Sequence, residues 1–434
     1  MKINKKILSI FLIAFIFINI LNCINSLQLL AKASEPDFTI YSEGAILIDS
    51  NSGKVLYGKN ENEKLYPAST TKIITAILAI ENCNPSEKIK ASYNAVMSIP
   101  AGYSNAAIQP DETLTVDELL NLFLIHSANE VGYIFAEHIS GSVEDFAELM
   151  NKKATELGCK NTHFTNPSGI HSAEHYSTAY DMALIARYCM KNETFRNIVS
   201  KKSCTVEATD KYEKRYFKNT NSLIDPSSKY YYEYAIGTKT GYTSQAKRCL
   251  IATSLKDGLE LITVTLGAES SVPDTRYEDT INLFEYGYSN YKEQKIISKD
   301  TVVKDLNIKG ATKETQNLSL VTKNELQGII PSDIEISSLN PSIELNSDIS
   351  APIEEGAVLG KITYNIEEFQ YSTELIASHC VEKFDVLKMT FQIILALFVL
   401  FVLFKLFFNK KKFSKNKKRK KKQNKRNFDS TYKF

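Results

Sequence analysis

Three short clusters in this 434-residue chain carry side chains able to form and break a covalent bond. The first is Ser69-Thr70-Thr71-Lys72, preceded by Pro67 and followed by the apolar run Ile73 to Ile80. A serine hydroxyl is a weak nucleophile and needs a base. On a helix, residues i and i+3 share a face, so Lys72 can bring its amine to Ser69 Oγ. An ammonium cannot accept a proton; Lys72 must be neutral for part of any such cycle, which burial beside another cation favours. The same S-x-x-K pattern starts at Ser244, Ser289, Ser414 and Ser430. Only Ser69 opens an apolar helix, whose N-terminus carries partial positive charge. The second cluster is Ser127-Ala128-Asn129, which with His126 interrupts a helical hydrophobic pattern and reads as a helix end or a site. The third is Ile236-Gly237-Thr238-Lys239-Thr240-Gly241-Tyr242. Glycine within a strand marks a bulge or close backbone approach, and Lys239 with Thr240 offers a cation and a hydroxyl that could hold a carboxylate.

Local patterns predict the elements that must position these residues. Ala45 to Ile48 and Lys54 to Tyr57, around a Gly53 turn, form a hairpin. Thr71 to Ile80 is apolar on nearly all sides and reads as a buried helix. Thr115-Val116-Asp117-Glu118 is a capping box opening a helix to about Ile125. Ser142 caps Val143 to Leu157, which Gly158 stops, and Thr178 caps Ala179 to Met190. Strands return at Tyr234 to Lys239, Cys249 to Ser254 and Leu259 to Leu266, before a helix from Tyr277 to Tyr286. Residues 38–290 therefore read as one α+β unit of the size of a catalytic domain, whose terminal strands are expected to meet in one antiparallel sheet. From 292 to 383 short alternating runs (Thr301 to Val303, Asn317 to Val321, Ile334 to Ile336, Val358 to Tyr364) split by Pro331, Pro341 and Pro352 read as a small all-β domain.

The formal net charge of +2 conceals three segments. Leu406 to Phe434 carries +12 and the first 33 residues +4, leaving −14 between them. Lys2, Lys5 and Lys6, an apolar run from Ile7 to about Leu30, and Ala31-Lys32-Ala33 describe a signal peptide over 1–33. Met389 to Phe408 is long and apolar enough for one transmembrane helix, with Lys405 near enough to its end to snorkel. The basic tail, 409–434, is expected to be disordered and cytoplasmic by the positive-inside rule, which places residues 34 to about 385 outside the cell membrane. Anionic lipid, not nucleic acid, is its expected partner, because it abuts a span. The seven cysteines form no C-x-x-C pair and H-x-x-x-H occurs only as His171 and His175, so spacing indicates neither a metal site nor a disulfide framework.

Taken in this order, the three clusters resemble the signatures S-x-x-K, S-x-N and K-T-G of the serine penicillin-recognising enzymes. The chain is more narrowly similar to the low-molecular-weight D-alanyl-D-alanine carboxypeptidases, through Tyr66 to Lys72, His126 to Glu130, Thr165-Asn166-Pro167-Ser168-Gly169-Ile170, His175 to Asp181, Asn219 to Leu223 and Gly237 to Thr243. The resemblance implies a β-lactamase/transpeptidase-like antiparallel sheet flanked by a helical cluster. It implies that Ser69 attacks the carbonyl between the terminal D-alanines of a peptidoglycan stem peptide, with Lys72 taking the proton. Ser127, helped by Asn129, relays a proton to the leaving D-alanine. Lys239 and Thr240 bind the terminal carboxylate, and the backbone N–H groups of Ser69 and Tyr242, beside Gly241, form the oxyanion hole. It also implies that no metal or organic cofactor takes part and that β-lactams acylate the same serine. Many relatives end in an amphipathic helix, whereas this chain ends in an apparent span.

Two alternatives share the scaffold. A class A β-lactamase needs a deacylating glutamate some way beyond S-x-N, where this chain has His163 to Gly169 without an acid. A catalytically silent cell-wall binding protein is disfavoured by intact Ser69, Lys72, Ser127 and Lys239. Lys247 and Arg248, close after the K-T-G strand, are expected to join Lys239 in drawing in acidic stem peptides.

Overall fold

The structure, a computed structural model, describes residues 38–269, 274–367 and 369–429. The proposed signal peptide lies outside them. Contacts divide the chain into two compact units: one runs to Ile296 and takes in Gln327–Leu339 and Asn365–Phe369, the other holds Ile297–Leu326, Asn340–Tyr364 and the chain from Gln370.

In the first unit the hairpin forms as β1 (Gly44–Asp49) and β2 (Val55–Lys59). It joins the late strands β3 (Ala235–Thr243), β4 (Lys247–Lys256) and β5 (Leu259–Ala268) in one antiparallel sheet of order β2-β1-β5-β4-β3. Every position of β1 is buried. Since successive side chains point to opposite faces, the sheet must be covered on both. Ile46, Ile48, Ile262 and Val264 enter the helical core, while a Cβ added to Gly287 would meet Leu47 and Leu261.

The helices are α1 (Lys72–Asn82), α2 (Val116–Asn121), α3 (Asn129–Ser140), α4 (Val143–Glu156), α5 (Ala179–Met190) and α6 (Thr275–Asn290). Three of their starts, those of α2, α4 and α5, follow the predicted caps. Thr115 and Glu118 make both halves of the capping box, and Ser142 and Thr178 accept the N–H groups of Asp145 and Asp181. The helix from Val116 departs from expectation, because its last turn, Leu122–His126, is a π turn. Helix α3, which sequence periodicity did not single out, begins two residues after that turn ends at Ser127.

In the second unit five strands pair in the order Val302–Asn307, Asn317–Thr322, Phe369–Ala377, Val358–Ile366 and Ser342–Leu345. The expected strand Ile334 to Ile336 is replaced by a 3-10 turn at Ile336–Ser338. A final helix, α7 (Val386–Asp429), contains one stretch apolar and long enough to cross a membrane, Val386–Leu406. The basic segment expected to be disordered continues this helix to Asp429. Lys and Arg are good helix formers, the segment has no Gly or Pro, and the preceding span supplies a nucleus that need only be extended.

The loop leading into the site is fastened by a buried ion pair. Arg215, in the strand Arg215–Lys218, pairs with Glu112 and donates to Ala106 O at 3.2 Å, while Glu112 accepts from Thr209 Oγ1 (2.8 Å) and Gln109 N (2.9 Å). Glu112→Ala should lower stability by about 3–5 kcal/mol, because it strands a buried guanidinium, whereas Glu112→Leu with Arg215→Met should recover much of the loss. Thermal denaturation checks this, and an unchanged melting temperature in the single variant would contradict it.

Candidate active site

Six stretches of chain converge on a cleft of about 590 Å³ in the first unit, lined by Ser69, Tyr103, Ser127, Asn129, Thr220, Thr240, Gly241, Tyr242 and Arg276 among others. A larger hollow of about 810 Å³ in the second unit, along Asp348 to Leu359 and Cys380 to Lys383, holds no comparable nucleophile and base. Chemistry, not volume, selects the cleft.

Ser69 sits in a one-turn 3-10 lead-in, Ala68–Thr71, that passes into α1. The lysine three residues on thereby faces back along the helix. Lys72 is fully buried, and its Nζ donates to Ser69 Oγ at 2.8 Å, Asn129 Oδ1 at 2.7 Å and Ser168 O at 2.8 Å. Three acceptors match the three protons of an ammonium. Burial first, then the charge of Lys239, nevertheless holds Lys72 well below the usual lysine range, with buried Glu130 pulling the other way. The amine is hydrogen-bonded yet prone to lose a proton.

The π turn explains Ser127. Widening the helix to an i→i−5 bond puts Ser127 at φ 70°, ψ 30°, in the left-handed region, and the chain restarts as α3 with Asn129 as its first residue. Such turns recur at functional sites because they displace a side chain from the regular helical face. Asn129 is held between Lys72 and Ser104, donating Nδ2–H to Ser104 O at 2.7 Å. The residue after it, Glu130, is buried; one carboxylate oxygen accepts Ala106 N at 2.6 Å and the other has no partner, and desolvation raises its pKa.

Asn166-Pro167-Ser168-Gly169 supplies a part that the sequence marked only by resemblance. Asn166 Oδ1 accepts from the N–H groups of Ser168, Gly169 and Ile170, which folds the loop so that Ser168 offers its carbonyl to Lys72 and its hydroxyl to Asn129 O. Gly169 has φ +77°, and a Cβ there would lie 1.8 Å from Ala68 O, so no other residue fits beside the nucleophile's turn. His175 supports this wall without metal chemistry. Its Nδ1 accepts Thr165 N, which leaves Nε2–H to donate to Thr71 Oγ1 at 2.9 Å, and burial keeps it neutral by lowering its pKa to about 3.

The opposite wall is the edge strand β3. A Cβ at Gly241 would lie 3.0 Å from Pro67 O and 3.1 Å from Ser69 N, so the glycine lets two backbones approach beside the nucleophile. Lys239 is buried and donates to Thr240 O; Thr240 Oγ1 meets Thr220 Oγ1 at 2.7 Å. Tyr242 stands exposed at the rim. Arg276, in the first turn of α6, was not identified from sequence. It lines the cleft, contacts Gly241 O at 3.4 Å and pairs with Asp274 at 3.1 Å. Burial, and after it the charge of Arg276, lowers Lys239 to about 7.

Lys247 and Arg248 do not form the expected attractor. Lys247 pairs with Glu43 at 2.7 Å and with Glu269, and Arg248 pairs with Asp274 at 2.7 Å, so local acids match their charge. All eight residues singled out from sequence meet at or beside one cleft.

A serine hydroxyl in hydrogen-bond contact with a buried lysine, on an antiparallel sheet packed against helices, is the arrangement of a serine enzyme of the penicillin-recognising type. The profile of the family described as D-alanyl-D-alanine carboxypeptidase matches residues 30–270, and that of the penicillin-binding protein 5 C-terminal domain matches 291–383. The chain is 36% identical over 327 residues to D-alanyl-D-alanine carboxypeptidase DacF of Bacillus subtilis, covering 74% of this chain and 80% of that one. Among solved structures it is similar to penicillin binding protein 5 from Haemophilus influenzae (TM-score 0.66, 26% identity, 81% of this chain and 100% of that one). It is also similar to the Streptomyces K15 DD-transpeptidase (TM-score 0.54, 31% identity, 58% and 98%). The chain belongs to the D-alanyl-D-alanine carboxypeptidase family and is a serine enzyme.

The buried cations predict a pH signature. Lys239 falls from 10.5 to about 7 on folding, so the unfolded chain binds the extra proton between those values. Its cost to stability is complete below about pH 7 and fades as pH rises to 10.5. Lys239→Met should therefore stabilise the protein more at pH 6 than at pH 10. Melting curves across that range test it, and a pH-independent gain would contradict it.

Proposed function

We propose that the enzyme removes the terminal D-alanine from peptidoglycan stem pentapeptides through an acyl-enzyme on Ser69. The observation that carries this reading is the Lys72 Nζ to Ser69 Oγ contact of 2.8 Å at a fully buried, depressed amine. Neutral Lys72 takes the Ser69 proton as Oγ bonds to the carbonyl carbon between the two D-alanines. The oxyanion lies against the N–H groups of Ser69 and Tyr242, a contribution of about 3–4 kcal/mol per donor in comparable enzymes. Ser127, positioned with Asn129, relays the proton: it gives its own to the departing amine and takes the one held by Lys72, and the C–N bond breaks. Water then attacks the ester and releases the shortened peptide, returning the proton to Ser69. Lys239, Thr240 and Arg276 hold the terminal carboxylate during acylation. A β-lactam presents a carbonyl and a carboxylate in similar relation and acylates the same serine.

The same reading assigns residues 38–290 to the catalytic domain and 292–383 to a small β domain, both outside the cell after removal of 1–33. The span anchors them and the basic tail faces anionic lipids in the cytoplasm. The carboxypeptidase name of the B. subtilis relative and the absence of an acid from His163 to Gly169 support carboxypeptidase over β-lactamase activity.

Incubating the full chain in detergent with a stem pentapeptide should release D-alanine, and Ser69→Ala should reduce release by at least about 10⁴-fold and abolish covalent β-lactam labelling. Release that survives the substitution would remove Ser69 from the mechanism. The pH profile should be bell-shaped, rising as Lys72 loses its proton and falling as Lys239 does. Lys239→Arg should lose the alkaline fall, since guanidinium does not titrate there, with kcat/KM lower by roughly 10- to 100-fold for the altered geometry. An alkaline fall unchanged in that variant would assign it to another group.

A further inference from the structure

Helices α1 and α3 both begin at the catalytic cluster, with Lys72 and Asn129, and run for 11 and 12 residues away from it. Cys83 is the C-cap of α1 and His138 lies in the last turn of α3. Glu87 follows in the connection after α1. The Cys83 Sγ, a Glu87 carboxylate oxygen and a His138 ring nitrogen all lie within 4.8 Å of one another, with His138 Nε2 at 2.8 Å from Glu87 Oε1. Their backbone is pinned: Cys83 N donates to Ala79 O at 3.0 Å and Val116 N to Glu87 O at 2.9 Å. None of the three takes part in the chemistry above.

A thiolate, an imidazole and a carboxylate on fixed backbone are a mixed S/N/O donor set, which suits zinc among common divalent ions. The place suits a cation as well, since the C-terminal ends of two helices carry partial negative charge. We propose that Cys83, Glu87 and His138 form a surface site for Zn²⁺, with water as the fourth ligand. Zinc–sulfur bonds of about 2.3 Å and zinc–nitrogen bonds of about 2.0–2.1 Å in a tetrahedron hold donors about 3.3–3.7 Å apart. Opening the His138–Glu87 contact by about half an ångström and closing the widest gap by at most about 1.5 Å reaches that geometry. On loading, the Cys83 Sγ–Zn bond forms and the thiol proton leaves to solvent; His138 Nε2 exchanges its contact with Glu87 for the metal, and nothing is oxidised or reduced. The ion clips together the far ends of the two helices whose near ends hold Lys72 and Asn129, about 16 Å away along α1.

Co²⁺ titrated into the full chain in detergent should raise a thiolate-to-cobalt absorption band saturating at one equivalent, which Zn²⁺ then bleaches. Cys83→Ser should abolish the band. His138→Ala and Glu87→Gln should each weaken binding at least about tenfold, while Cys380→Ser, at the exposed thiol elsewhere, should leave it unchanged. Zn²⁺ should also slow alkylation of Cys83 in the unaltered protein, read by peptide mass spectrometry, so the test does not depend on how the variants fold. No band in the unaltered chain, a band that survives Cys83→Ser, or unweakened binding in His138→Ala would overturn the site.

Discussion

The structure is organised around one costly act, the complete removal of the Lys72 amine from water. A buried ammonium without compensation is strongly disfavoured, and a buried lysine surrounded only by apolar groups would simply stay neutral and inert. Here the amine keeps three acceptors from three separate stretches of chain, while burial and a second cation nearby disfavour its charged form. Each acceptor imposes a demand on the fold. Ser69 must lie one turn before Lys72, which the 3-10 lead-in arranges. Asn129 must arrive from another helix at its first residue, which the π turn arranges. Ser168 must offer a backbone carbonyl from a loop, which the three N–H bonds to Asn166 arrange.

Packing at the nucleophile is equally constrained, because two pieces of backbone come within contact of the Pro67–Ser69 turn from different sides. Gly169 meets Ala68 O and Gly241 meets Pro67 O and Ser69 N, each at a separation that a side chain would fill. The antiparallel sheet fixes the second approach, since β3 is held in register by β4 from Gly237 to Thr243, after a bulge between Ala235 and Gly237. The first depends on the helical cluster, since Ser168 and Gly169 rest against α3 through the bond to Asn129 O. The cleft is the seam between a sheet formed by both ends of the catalytic chain and helices formed by its middle.

Local physics made much of this legible in the sequence. The caps at Thr115, Ser142 and Thr178 are side-chain-to-backbone bonds spanning three residues, and each forms where the residue types required. The terminal strands could be expected to meet because only their pairing buries two short apolar runs at opposite ends of the domain. What escaped notice depends on distance in the chain. Arg276 reaches the cleft because α6 packs on the sheet, and nothing near it in sequence says so. Lys247 looked like a free charge because Glu43 lies at the far end of the chain, brought beside it only by strand pairing. Cys83, Glu87 and His138 show no ligand spacing because two parallel helices bring them together. The π turn was hidden for a different reason: Leu122 to Ile125 has the same apolar period whether the turn is wide or narrow.

Two lysines of nearly equal burial can then take opposite roles. Lys72 and Lys239 each depress the charged form of a neighbour, so protonating one makes protonating the other harder. Burial and the charge of Arg276 lower Lys239 to about 7, and Lys72 is held well below the usual lysine range. On the proposed reading, a substrate carboxylate bound at Lys239 and Thr240 favours the charged form of Lys239 more than that of Lys72, because its negative charge lies against one amine and farther from the other. On that reading Lys239 keeps its proton and Lys72 is the free base next to Ser69 Oγ. On the proposed reading, the group that identifies a correct substrate also arms the nucleophile, through electrostatics.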